Sequence, residues 1–302
     1  MTNRHQSLLS PLRYPGSKRR LVNYIKQALK MNELHPALYV EPFVGGASVA
    51  LQLMQDELVD KVILMDRDPW VASFWQTVFF DTAWLIKQIE TVEVTLEVWQ
   101  QFKNLNPKTT RDQALTCFFL NRTSFSGILE KRAGPLGGKS QESAYKIDCR
   151  FPRTTLIQRI EQAAQYQDKV HGVWNCSWEE GMKQMRVEQN AGNLPVDHLF
   201  CYFDPPFFEK ADALYRWYFT HEDHCALRDF LLELDDQWIL SYDSAQQVEL
   251  LYGNALKHRT NGAQKHSLEL SYTLGIMSKK RKQGREVIIS NLLYLPKLTE
   301  LK

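Results

Sequence analysis

The sequence predicts an α/β fold in which a mostly parallel sheet is covered by helices on both faces. Three observations carry that expectation. Short, almost wholly apolar runs recur along the chain, too brief for helices and bounded by acids, glycines or prolines. Segments with helical periodicity lie between them, and strand alternating with helix is the pattern of a parallel sheet. The acids, glycines and prolines gather where the apolar runs end, which is the edge of such a sheet at which ligands collect.

Taken in order, "ALYVEPF" (37–43) reads as a short buried strand, and "ASVALQLMQ" after it as a helix with Ser48 near its start. "KVILMDRD" (61–68) is a second strand ending in acids. The rhythm then breaks. "AWLIKQIETV", "LEVWQQF" and "RDQALTCFFLNRT" are helical, and a basic loop punctuated by glycines follows, "GILEKRAGPLGGKSQESAYKIDCRF". This divides the chain into a sheet domain of residues 1–70 and 167–302 and an inserted domain of residues 71–166. "LFCYFD" (199–204) is the third strand, "WILSYD" (238–243) the fourth and "EVIISNLLYL" (286–295) a late one, with helices in "THEDHCALRDFLLELD" and "SAQQVELLYG". "THEDH" invites a metal reading, but Thr220 followed by Asp223 has the spacing of a capping box, so a helix start is expected there. Trp70, Trp75, Trp84 and Trp99 fall on helical segments and are expected in the core.

Composition narrows the function classes. With 44% hydrophobic and 24% charged residues among 302, the chain is not disordered and can bury a sizeable core. No apolar run is long enough to span a bilayer and "MTNRHQSLLSP" lacks the apolar centre of a signal peptide, so a cytoplasmic protein with no membrane partner is expected. Five cysteines without a CxxC pair indicate neither a disulfide framework nor a zinc site. The net charge of +2 is unevenly spread: residues 122–159 hold eight Lys or Arg against three acids, and "SKKRKQGRE" (278–286) holds five against one. Two concentrated basic segments suit a polyanionic partner.

The chemistry sits at the strand ends. In "EPFVGGASVAL" (41–51) a strand ends at Glu41, turns through Gly45 and Gly46 and opens a helix, which lets a ligand approach the backbone near a helix N-terminus. The spacing matches neither the dinucleotide nor the P-loop signature. Asp66 closes the next strand, where an acid can accept from a ribose diol. In "CYFDPPFFEK" (201–210), Pro205 and Pro206 restrict the backbone around Asp204. The Asp204 carboxylate and the Pro205 carbonyl are then two fixed acceptors, suited to the two hydrogens of an exocyclic amine. Phe207 beside them offers a face for a base, a stacking worth about 1 to 3 kcal/mol.

The set "RYPGSK" (13–18), "EPFVGG" (41–46), "DRD" (66–68), "FFLNRTSFSG" (118–127), "DPPF" (204–207) and "FTHEDHCALRDFL" (219–231) resembles the Dam-like family of DNA adenine-N6 methyltransferases, in that family's order and across most of the chain. The resemblance implies a Rossmann-like, S-adenosylmethionine-dependent methyltransferase sheet with an inserted, mainly helical target-recognition domain. It implies that Tyr14, Lys18, Glu41, Phe43, Gly45, Gly46, Asp66 and Asp204 bind S-adenosylmethionine, and that Asp204, Pro205, Pro206 and Phe207 form the catalytic tetrad. The family usually carries tyrosine where this chain has Phe207. The implied partner is double-stranded DNA with the target adenine flipped out of the helix, gripped by Arg122, Lys131, Arg132, Lys139, Lys146 and Arg150 and by the basic run at 278–286. Neither a metal nor a covalent enzyme intermediate is required, and a monomer is the default expectation. Two alternatives stay open: methylation of cytosine N4 or of adenine in RNA, since the tetrad needs only an exocyclic amine, and a catalytically inactive nucleic-acid binder with the same fold.

Overall fold

A computed structural model of the chain describes residues 8–14, 18–208, 211–243, 246–253, 264–272 and 282–296. In chain order its elements are α1 (Val22–Met31), β1 (Leu38–Glu41), α2 (Ser48–Gln55), β2 (Lys61–Asp66), α3 (Pro69–Phe80), α4 (Thr82–Thr91), α5 (Leu96–Asn104), α6 (Thr110–Thr123), α7 (Arg153–Ala164), β3 (Val170–Asn175), α8 (Trp178–Asn190), β4 (Leu199–Phe203), α9 (Ala211–Leu214), α10 (His221–Glu233), β5 (Gln237–Asp243), α11 (Gln246–Gly253), β6 (Gln264–Tyr272) and β7 (Lys282–Ser290).

The strands form one seven-stranded sheet in the order β3-β2-β1-β4-β5-β7-β6. From β3 to β5 all neighbours are parallel, while β7 runs antiparallel to β5 and to β6. The expected α/β class with a mostly parallel sheet is therefore the observed one. The central strands β1 and β4 are buried at every position, which is why they read as continuous apolar runs. The late strand differs from its sequence reading: it starts earlier, at Lys282, and stops at Ser290. There Asn291 leaves the ladder, accepting from the Trp238 N–H at 2.9 Å and donating to the Asp236 carbonyl at 2.7 Å.

Alternate residues of each strand feed two cores. On one face Tyr39, Leu64, Phe200 and Ile239 meet α1, α2, α3 and the helices up to α7. On the other Val40, Ile63, Cys201 and Leu240 meet α8, α10 and α11. Helix α3 packs against β2, β3 and α6 at once, so the helices that connect β2 to β3 share the first of these cores with the sheet. Helix α10 begins with the expected capping box, in which the Thr220 N–H donates to Asp223 at 2.7 Å and the Asp223 N–H to Thr220 at 3.3 Å. Trp75 and Trp99 are buried in the core, and Trp70 and Trp84 pack against it partly exposed.

Candidate active site

A cleft opens at the carboxyl ends of β1, β2 and β4. Its floor is the turn from β1 into α2. Gly45 adopts a φ of +42°, and a Cβ there would come within 2.7 Å of the Tyr14 ring, so only glycine fits without displacement. The turn is held from three sides: the Val44 N–H donates to the Met65 carbonyl at 2.8 Å, the Gly45 N–H to Asp66 Oδ2 at 3.0 Å, and Trp75 Nε1 to the Gly45 carbonyl at 2.8 Å. Asp66 also accepts from the Asp68 N–H at 2.8 Å, so both of its oxygens are engaged by backbone around the turn.

Two carboxyls of the cleft are buried with no cation paired to them among the described residues. Glu41 accepts from the Tyr39 hydroxyl at 3.0 Å and the Ala50 N–H at 3.3 Å, yet burial pushes its pKa up to about 8. Burial, and secondarily the neighbouring Asp68, pushes Asp66 up to about 7. Both carboxyls therefore favour the protonated form in this largely apolar cleft, and a cation bound beside them would favour the ionised one.

Asp204 is arranged differently. Its Oδ1 receives the Lys18 ammonium at 2.9 Å and the Ser241 hydroxyl at 2.9 Å, while Oδ2 has no hydrogen-bond partner among the described residues. Burial raises the Asp204 pKa, and Lys18 and Ser241 oppose that rise. Lys18 is buried too and lies 3.7 Å from Glu286 on β7. Burial works against its charge, but Asp204 and Glu286 outweigh it and keep the ammonium protonated. The same ammonium stands 5.0 Å from the Phe207 ring centre, and Tyr215 meets that ring edge-on at 5.8 Å.

Of the residues expected to bind a cofactor, Tyr14, Lys18, Glu41, Phe43, Gly45, Gly46, Asp66 and Asp204 all line this one cleft, and Pro206 joins them. Pro205 and Phe207 continue the tetrad beside it. Residues 15–17 of the N-terminal motif lie outside the described residues. The sequence reading missed the wall formed by Tyr215 to Phe219. Arg216 holds that wall down, bridging to Asp68 Oδ1 at 2.6 Å with its guanidinium 3.5 Å from the Trp70 ring centre. Phe219 meets Phe43 edge-on at 5.6 Å. The signal was present as "YRWYF", five residues of which four are aromatic, soon after the tetrad.

The basic candidates separate by burial. Lys131, Arg132, Lys139, Lys146 and Arg150 are exposed. Lys131 and Arg132 sit on an excursion closed at its base by the antiparallel bridge between Ser124 and Pro135. Arg122, expected on the surface with them, is only 5% exposed. It donates to the main-chain carbonyls of Arg150 at 2.8 Å and Pro11 at 3.4 Å. Burial, together with Arg13, Arg159 and Arg150, lowers its pKa to about 9. Its placement is a brace between the N-terminal segment and the end of the basic loop, since α6 is packed inside the core. Residues 278–281 of the second basic run lie outside the described residues, and β7 begins at Lys282.

Among the described residues no group of three or more His, Cys, Asp or Glu is placed to hold a metal ion, and no helix is long and apolar enough to cross a bilayer.

Comparison with known proteins reaches the same cleft. The family model for the D12 class N6 adenine-specific DNA methyltransferases matches residues 14–268, a span that includes every residue named above as lining it. A curated relative, the Type II methyltransferase M.MjaIII of Methanocaldococcus jannaschii, is 26% identical over 133 residues. That match covers 39% of this chain and 46% of the relative, so the chain spans about half the length of the curated relative it matches.

Proposed function

Because the chain belongs to the D12 class N6 adenine-specific DNA methyltransferase family, we propose that it methylates the exocyclic N6 amine of an adenine flipped out of double-stranded DNA. Methyltransferases of this family use S-adenosylmethionine, which when bound supplies an electrophilic methyl group on a positively charged sulfur. The residues present fit it: the glycine turn admits a ligand close to the backbone, the aromatic walls suit its adenine, and Glu41 and Asp66, with no cation paired to them among the described residues, are carboxyls that its charge would favour in the ionised form. Tyr14, Glu41, Phe43, Gly45, Gly46 and Asp66 would hold it.

The observation that carries the reading is the state of Asp204. One carboxylate oxygen is occupied by Lys18 and Ser241, and the other has no hydrogen-bond partner among the described residues, in the same cleft as the glycine turn. Adenine's amine is a poor nucleophile because its lone pair is delocalised into the ring. Asp204 Oδ2 and the Pro205 carbonyl accept its two hydrogens and draw the nitrogen towards tetrahedral geometry. The lone pair is thereby freed and aimed, and the carboxylate opposes the positive charge that develops on the nitrogen. Phe207 provides the stacking face, so the missing phenolic hydroxyl leaves this function intact. Residues 71–166 form the target-recognition region in this reading, with Lys131, Arg132, Lys139, Lys146 and Arg150 facing phosphates. Arg122 stabilises the loop from beneath.

Incubation with labelled S-adenosylmethionine and duplex DNA, followed by nucleoside analysis, tests the proposal. N6-methyldeoxyadenosine is expected as the labelled product. Label on cytosine, on RNA alone or on no nucleic acid would replace the reading by one of its alternatives. Asp204→Ala should lose about 10²- to 10³-fold or more in kcat. Turnover within a few-fold of the parent chain would remove Asp204 from its role.

A further inference from the structure

Ser241, in the "SYD" stretch that ends β5, is buried with 0% exposure, and so is Tyr202 on β4. In the parallel β4–β5 pair Tyr202 stands opposite Ile239, so the pleat two residues on brings Asp204 and Ser241 to the same face. The contacts follow that register: Tyr202 Oη lies 2.8 Å from Ser241 Oγ, and Ser241 Oγ lies 2.9 Å from Asp204 Oδ1. Proton counting gives the chain a direction. An ionised carboxylate offers only lone pairs, so Ser241 commits its single hydroxyl proton to Asp204, and the Tyr202 hydroxyl must donate into Ser241. The donors run Tyr202 to Ser241 to Asp204 Oδ1, and Lys18 donates to that same oxygen from the other side. Two donors on one oxygen fix the carboxylate about its terminal bond and leave Oδ2 without a partner among the described residues. Burying a serine and a tyrosine hydroxyl between strands is costly unless both are paired, and here their pairing ends on the reactive acid.

We propose that Ser241, backed by Tyr202, is a positioning residue for methyl transfer: it selects Oδ2 of Asp204 as the oxygen that receives the amine hydrogen. The assignment rests on the functional reading above, in which Asp204 accepts from N6. Ser241 touches no reacting atom; it acts through the carboxylate it holds. Among the described residues the charged and titratable groups around that carboxylate are Lys18 from the N-terminal segment, Glu41 from β1, Glu286 from β7 and Tyr202 itself.

The test compares Ser241→Ala, Ser241→Thr and Tyr202→Phe with the parent chain, measuring kcat and KM for both substrates across pH. Ser241→Ala is expected to lower kcat about 10- to 100-fold, in the range seen for outer partners of reactive groups, with KM changed less than about threefold. Its acid limb should move to higher pH, because the lost hydrogen bond favoured the ionised carboxylate. Ser241→Thr keeps the hydroxyl and should recover most of kcat, while Tyr202→Phe should shift kcat and the acid limb in the same direction by less. Tyr202→Phe removes one oxygen and leaves the ring in place, so it answers the question even if Ser241→Ala folds poorly. Parental kcat and an unmoved acid limb in both hydroxyl-deleted variants would overturn the assignment. So would a loss confined to KM or to thermal stability. A parent chain that methylates no nucleic acid removes the functional reading and this assignment together, whereas an active parent with indifferent variants removes this assignment alone.

Discussion

Glu41 is 3% exposed at the end of β1, and its proton equilibrium dictates a pH dependence of folding. Its folded pKa of about 8 stands above the ordinary 4.5. Between those values the native state holds a proton that the unfolded chain has released, so the contribution of Glu41 to stability is full below about pH 4.5 and is lost as pH rises through about 8. Asp66 acts in the same sense up to about pH 7. Glu41→Gln keeps an oxygen to accept from Tyr39 and Ala50 but cannot ionise. The variant should therefore resist urea better than the parent at pH 8.5 and match it near pH 4.5, without cofactor. An equal difference at both pH values would show that the charge of Glu41 is not the cause. An acid that weakens the free protein at neutral pH is intelligible in a site that receives a cation.

The segment that follows α9 depends on one arginine. Arg216 joins Asp68 and Trp70, at the start of α3, to the wall that runs from Tyr215 to Phe219. Removing it leaves Asp68 buried without its cation and frees the wall. Arg216→Ala should weaken S-adenosylmethionine binding about tenfold, equivalent to about 1.4 kcal/mol, and speed hydrogen exchange across residues 215–219. Unchanged affinity and exchange would deny the wall a part in binding. The motif "DRD" was visible in the sequence, but only Asp66 was read as functional; the partner of Asp68 lies 148 residues further on, beyond any local pattern. The two sheet edges were missed for a related reason. β3 shows the burial of an edge strand, with buried and exposed residues mixed, and β6 mixes polar and apolar residues in "QKHSLELSY". Neither produces the continuous apolar run by which a central strand announces itself.

Across the molecule, positive charge divides between a surface and an interior. Five of the six basic candidates are exposed, and the sixth, Arg122, is buried. If those five face phosphates, the logarithm of DNA affinity should fall against the logarithm of salt with a slope of about −4.5. The pair Lys131→Gln and Lys139→Gln should flatten it by about 2, which titrations at several salt concentrations would measure. A slope near zero in the parent chain would exclude these side chains as phosphate contacts. Arg122→Gln should instead unfold more easily, because its guanidinium bonds the carbonyls of Arg150 and Pro11.

The α/β class, the central strands, the capping box of α10 and the gathering of Glu41, Gly45, Asp66 and Asp204 at strand ends all followed from the order of residues. Each reflects preferences that neighbours along the chain express: burial on both faces, a left-handed glycine, a proline-restricted turn. The burial of Arg122, the clamp of Arg216 on Asp68 and the hydroxyl chain behind Asp204 were decided only when the sheet closed. Ser241 and Asp204 are 37 residues apart in sequence and 2.9 Å apart in space, a distance fixed by the register of β4 against β5. Local sequence states what each segment prefers to be, and packing alone determines which side chains then share an oxygen.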